Sequence, residues 1–178
     1  MPRVEVDRSL PPVVLPARIV SELLGHARET HPEECCGLIV GTGRERYRRL
    51  VRCRNEMTQL HQADPLQYPR DGRSAFWMNE ADYMQTREEA EAAGEQVTAV
   101  YHSHVGTGAY LSELDLGYAH HELFPFPEAD QIVVAVASTD TGSPAMRLDE
   151  GCVGGLGIFL WDEGLDAYQG RRVRPSAP

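Results

Sequence analysis

The sequence predicts an α+β domain, a mixed α/β arrangement in three layers. Strand-like apolar runs recur along the chain, three helical segments fall between them, and the two kinds do not alternate in the regular βαβ order of a parallel sheet. A length of 178 residues suits a single domain, 1–178, with a substantial core.

Residues 1–14 read as an extended N-terminal arm punctuated by Pro11 and Pro12, with Pro16 just beyond. Leu15, Ile19, Val20, Leu23, Leu24 and Ala27 then recur with helical period and predict an amphipathic helix ending near Thr30. Cys36 to Val40 reads as a buried strand and Tyr47 to Cys53 as the next, joined by the turn-like Gly41-Thr42-Gly43. Residues 55–77 are polar and broken by Pro65, Pro69 and Gly72; so long a connection is expected to be an insertion loop with a function. A helix from Asn79 to Ala93 follows, with Asn79 as its cap and Gly94 as its stop. Gln96 to Tyr101 is a β-branched and aromatic run that predicts a buried strand leading into His102, and after a Gly-containing loop a third helix begins at Ser112. Further strands are expected at Gln131–Ser138, Ala145–Leu148, Leu156–Trp161 and Ala167–Val173, with 174–178 a frayed tail.

The formal charge of −10 argues against nucleic acid as a partner, because phosphate binding needs clustered cations. Between Arg44 and Arg54 arginines do recur, which predicts a strand with one solvated basic face. All 17 cations are arginine, and lysine is absent. No apolar run approaches the roughly 20 residues that span a bilayer, so no membrane is expected and a cytoplasmic location is the default. The cysteines at 35, 36, 53 and 152 form no Cys-x-x-Cys pair, and Cys35 and Cys36 are expected to be small core residues on opposite faces of a strand.

The chemistry concentrates in His102-Ser103-His104, Ser112 and Asp115. Residues i and i+2 of a strand share a face, so His102 and His104 can approach one ion together. Asp115 would add a carboxylate, completing the three protein ligands of a catalytic zinc site whose fourth position is left to water. Taken alone, Ser112 and Asp115 also read as a helix-capping pair, and a His-x-His as two polar positions at a strand end. The cap and the chemistry are compatible, because a capped helix start holds its side chains in place.

His102-Ser103-His104, then six residues between Val105 and Ser112, then Ser112-x-x-Asp115 resembles the signature of the JAMM (MPN-plus) metalloisopeptidases, in particular their small prokaryotic single-domain type. Val105 stands where that family usually has proline, which leaves the donors in place but alters the stiffness of the loop that follows. The upstream segment His31-Pro32-Glu33-Glu34, leading into an apolar strand, resembles the family's glutamate segment. The resemblance implies a curved, mostly antiparallel sheet flanked by helices, in the cytidine-deaminase-like class of folds. It further implies Zn2+ held by His102, His104 and Asp115, Glu34 as the general base acting on the zinc-bound water, and Ser112 as the oxyanion donor.

What the resemblance implies about substrate is hydrolysis of an isopeptide or peptide-like amide bond after the C-terminal glycine of a ubiquitin-like or sulfur-carrier protein. Its Gly-Gly tail would lie extended along a groove made by 55–77 and the Gly-rich 105–109 segment. A homodimer is compatible with this reading. The alternatives are a non-catalytic MPN-type binding scaffold, or a metal amidase acting on small peptide or amino-acid conjugates.

Overall fold

The computed structural model describes residues 3–138 and 147–177. In chain order the elements are β1 (Val13–Leu15), α1 (Ala17–Thr30), β2 (Cys36–Gly41), β3 (Arg49–Cys53), α2 (Met57–Ala63), α3 (Glu80–Ala92) and β4 (Gln96–Val105). Then come α4 (Glu113–Ala119), β5 (Asp130–Val136), β6 (Leu148–Asp149), β7 (Cys152–Val153), β8 (Leu156–Asp162) and β9 (Ala167–Pro175). Seven strands make one mixed sheet in the order β1-β9-β8-β5-β4-β2-β3, while β6 and β7 pair separately. Only β4 with β5 and β1 with β9 run parallel, so the sheet is mostly antiparallel as expected.

The alternation of side chains along the strands divides the core between two layers of helices. Cys35, Ile39, Ala99, Tyr101, Ile132 and Val134 meet Ile19, Leu23 and Ala27 of α1 on one face. On the other, Cys36, Leu38 and Val100 pack with Met78, Phe124 and Phe126, and Tyr83 of α3 closes over them. The adjacent cysteines therefore do face opposite ways, as small core residues. His102 and His104 share the parity of Val100, which puts them on the α3 side of β4. The parallel crossover from β4 to β5 carries α4, and this connection brings Ser112 and Asp115 back toward the end of β4.

Three differences from the sequence reading stand out. The tail is not frayed at 174–176: Arg174 and Pro175 belong to β9 and pair with Val14 and Leu15, and the Ser176 N–H donates to Leu15 O at 2.8 Å. The partner is β1, a three-residue strand too short to show a period. Leu15, counted above in the helical repeat, lies in that strand. Residues 55–77 are not a structureless loop but contain α2, so four helices are present among the described residues where three were predicted. The arginine stretch does keep its alternate arginines solvated, as expected, and four of them are each paired with an acid. Arg46, Arg48, Arg52 and Arg54 reach Asp130, Glu95, Glu29 and Asp82 at 2.8, 2.8, 2.5 and 2.9 Å. Finally, of the strand expected at 145–148, Ala145 and Met146 lie outside the described residues, and β6 begins at Leu148.

Candidate metal centre

β4 presents His102 and His104 from one face at its C-terminal end, both buried. The first turn of α4 presents Asp115, and the capping box fixes its side chain. The Asp115 N–H donates to Ser112 Oγ at 3.2 Å, while the Ser112 N–H donates to Asp115 Oδ2 at 2.7 Å. The local pattern that argued for a mere helix cap is thus the device that aims the carboxylate at the imidazoles.

The three side chains converge. His102 Nε2 lies 3.2 Å from Asp115 Oδ1, His104 Nε2 lies 3.3 Å from Asp115 Oδ2, and the two Nε2 atoms are 3.1 Å apart. Donor atoms bound tetrahedrally to zinc at about 2.0–2.1 Å are separated by about 3.3 Å, so these spacings fit a common ion. Tautomer chemistry agrees. His104 Nδ1 is 3.1 Å from the Gly108 carbonyl, which can only accept; the neutral ring therefore carries its proton on Nδ1 and turns the Nε2 lone pair to the centre. Phe76 stacks on His102 with centroids 4.6 Å apart and Tyr110 meets His104 edge-on at 4.9 Å, so aromatic walls hold both rings in orientation.

Burial pushes the Asp115 carboxyl upward, but the charges and hydrogen bonds of His102 and His104 outweigh it and hold Asp115 well below the usual carboxylate range. It stays ionised, as a ligand must.

Glu34 stands immediately before β2 and is itself buried. Among the described residues it is not part of the donor triplet, yet it lines the same cavity of about 360 Å³ as His104, Ser112 and Asp115. Burial pushes its carboxyl up to about 8; His104 and Arg70 oppose the rise and Asp115 adds to it. A carboxyl that exchanges its proton near neutral pH suits a proton carrier. Its backbone is clamped on both sides: the Glu34 N–H donates to Gly72 O at 2.6 Å, and Asn55 Nδ2 donates to Glu34 O at 3.0 Å. The cavity wall includes Arg70, Arg73, Phe76 and Trp77 from 55–77, together with Val105 and Thr107 from 105–109. Both segments singled out in the sequence line it.

The sequence reading passed over several contributors. Ser103, treated as a spacer, accepts the Cys35 N–H on Oγ at 2.8 Å; Asn55, Gly72 and Gly108 position Glu34 and His104 through the bonds just given. Only the middle Ser of the His-Ser-His motif could have been suspected beforehand. Val105, in place of proline, extends β4 and pairs with Val136, so the strand continues one residue past His104.

The matching family is Prok-JAB, prokaryotic homologs of the JAB domain, over residues 16–149. The chain is similar to the CysO-cysteine peptidases of Mycobacterium tuberculosis and Mycobacterium bovis, 28% identical over 124 residues that cover 69% of this chain and 73% of the relative. The fold is similar to the solution structure of a Desulfitobacterium hafniense protein, with a TM-score of 0.56, 19% identity and 93% of each chain covered. A Salinibacter ruber protein gives a TM-score of 0.53 at 20% identity, covering 93% of this chain and 92% of that one.

Proposed function

The chain belongs to the family of prokaryotic homologs of the JAB domain, and from that premise we propose that it is a zinc-dependent peptidase. It cleaves the isopeptide or peptide-like bond after the C-terminal glycine of a ubiquitin-like or sulfur-carrier protein. The observation that carries this reading is the meeting of His102, His104 and Asp115, with donor atoms within 4.8 Å of one another, beside a buried glutamate in one cavity. The similarity to CysO-cysteine peptidases supports the carrier-protein substrate.

Held there, zinc would supply Lewis acidity toward the carbonyl and the attacking water. His102 and His104 would hold the ion through Nε2 and Asp115 through its carboxylate. Glu34 takes the proton of the attacking water and delivers it to the departing amine, which its exchange near neutral pH permits. The Ser112 hydroxyl accepts from the Asp115 N–H, leaving its own proton to donate to the oxyanion formed at the glycine carbonyl. The extended tail passes between 70–77 and 105–109 into the cavity, where small residues allow close approach.

Elemental analysis and cleavage assays of the purified protein test this together. Glu34→Gln is expected to keep stoichiometric zinc and lose at least about 100-fold in turnover, whereas His104→Ala and Asp115→Ala lose the ion itself. Wild-type turnover by Glu34→Gln would remove the assigned role. A protein that neither binds zinc nor cleaves a carrier fusion after zinc addition would be a binding scaffold instead.

A further inference from the structure

The Ser112 hydroxyl is held in place by a segment to which the proposed mechanism gives no part. Leu111 makes a β-bridge, and the side chains next to it take the opposite face. Tyr110 and Ser112 line the cavity, while Leu111 is fully buried with Ala119, Val133, Phe159 and Tyr168.

The N-terminal residues cross this stretch. Val4 and Leu111 exchange both backbone bonds, each N–H donating to the other's carbonyl at 3.0 Å, as a hydrogen-bonded antiparallel pair does. Val4 and Val6 pack on the same cluster that buries Leu111. The Arg3 guanidinium lies 4.6 Å from the centre of the Tyr110 ring, which in turn meets His104 edge-on. Further along, the Asp7 N–H donates to Gly170 O at 2.9 Å, so the same short segment is tied to β9.

The sheet leaves room for this segment. A Cβ on Gly157 of β8 would stand 2.8 Å from Val6 Cγ2, and one on Gly170 of β9 would run into the Glu5 carbonyl. Glycines inside adjoining strands weaken a sheet, and here they form the bed in which residues 4–6 lie. The connection from β4 to Tyr110, by contrast, carries Gly106 at φ +76° and Gly108, and has little stiffness of its own. Ser112 therefore takes its place from the Val4–Leu111 pair on one side and from its capping box on the other.

We propose that residues 3–7 act as a strap in which Val4 is a positioning residue for Ser112, holding its hydroxyl where the oxyanion forms. The proposal rests on the hydrolytic reading above. No bond of the reaction is made to the strap; it acts through Ser112 alone. Without the Val4 bonds, Ser112 would move with the glycine-bearing connection that precedes it.

Full-length Val4→Pro, which cannot donate to Leu111 O, is compared with Val4→Ile, which can. Per bound zinc, Val4→Pro is expected to lose at least about 10-fold in kcat with KM within about 2-fold, because a displaced oxyanion donor costs most in the transition state; Val4→Ile should match wild type. A cycle with Ser112→Ala isolates the route. In that background Val4→Pro should cost less than about 2-fold more, and equal losses in both backgrounds overturn the proposal. Amide hydrogen exchange judges the strap without turnover. In Val4→Pro, residues 110–115 should exchange faster while 97–104 in β4 stay protected. Unchanged exchange at 110–115, or turnover per zinc equal to wild type, overturns the proposal. Gly170→Ala, which drives Glu5 from its bed, is the second variant should the proline chain fail to fold, and the same measurements read it. A wild-type protein that cuts no carrier counts against the hydrolytic reading, while exchange still decides whether the strap holds Ser112.

Discussion

Ser103 lies between the two imidazoles proposed to hold the metal and does a different job from either. Its side chain has the opposite parity, and its Oγ accepts the Cys35 N–H at 2.8 Å while the Ser103 N–H donates to Cys35 O at 3.0 Å. These two bonds hold the backbone next to Glu34 against β4, so the residue between the two histidines helps to position the glutamate proposed as the base. Ser103→Ala would leave a buried N–H without its acceptor, at a cost of about 1–3 kcal/mol. The expected result is a lower urea midpoint and reduced kcat with zinc content unchanged, and recovery in Ser103→Thr, which restores an oxygen. Unaltered stability and turnover in the alanine variant would show that Cys35 has another acceptor.

At the scale of elements, the segment from 55 to 77 is a clamp on the glutamate. Asn55 Nδ2 donates to Glu34 O and to Ala75 O, while Asn55 Oδ1 accepts the N–H groups of Met57 and Trp77, so one side chain ties both ends of the segment to Glu34. Thr58 of α2 donates to Glu33 Oε1 at 2.7 Å and accepts the Gly72 N–H at 3.0 Å, which places Gly72 O under the Glu34 N–H. A Cβ on Gly72 would stand 2.8 Å from both Thr58 Oγ1 and Glu33 Oε2, so the clamp would have to open. Gly72→Ala is therefore expected to lower kcat/KM about 10-fold, a loss of about 1.4 kcal/mol in transition-state stabilisation. Its zinc content should match wild type. Wild-type kinetics in this variant would mean that the clamp does not position the base. The length and polarity of 55–77 signalled that it mattered, but its short α2 and its side-chain bonds to Glu33 and Glu34 could not be read from composition.

For the whole molecule, the tie between α1 and β4 sets a pH limit on folding. His26 Nδ1 lies 2.8 Å from Tyr101 Oη across the principal core. Burial, helped by the charge of Arg52 and opposed by Glu29, lowers His26 to about 4. Between that value and the ordinary one near 6.5 the unfolded chain binds a proton that the folded chain refuses. The contribution is complete above about pH 6.5 and is lost as pH falls toward 4, on the order of 3 kcal/mol in all. Urea midpoints should decline through that window, and His26→Gln, which keeps a polar partner for Tyr101, should flatten the decline. Parallel curves for the two proteins would rule His26 out as the source.

Most of the elements, and the shared face of the two histidines, were legible in the order of residues, because each depends on neighbours a few residues apart. Alternation put His102 and His104 on one face, the Ser112–Asp115 cap started α4, and Asn79 and Gly94 bounded α3. Contacts between distant segments decide that Asp115 reaches both imidazoles, that Ser103 holds the Cys35 backbone while Gly72 O takes the Glu34 N–H, and that β9 continues into the tail by pairing with β1. Those outcomes depend on contacts between segments far apart in the chain, and a three-residue strand leaves no periodic trace in the order of residues.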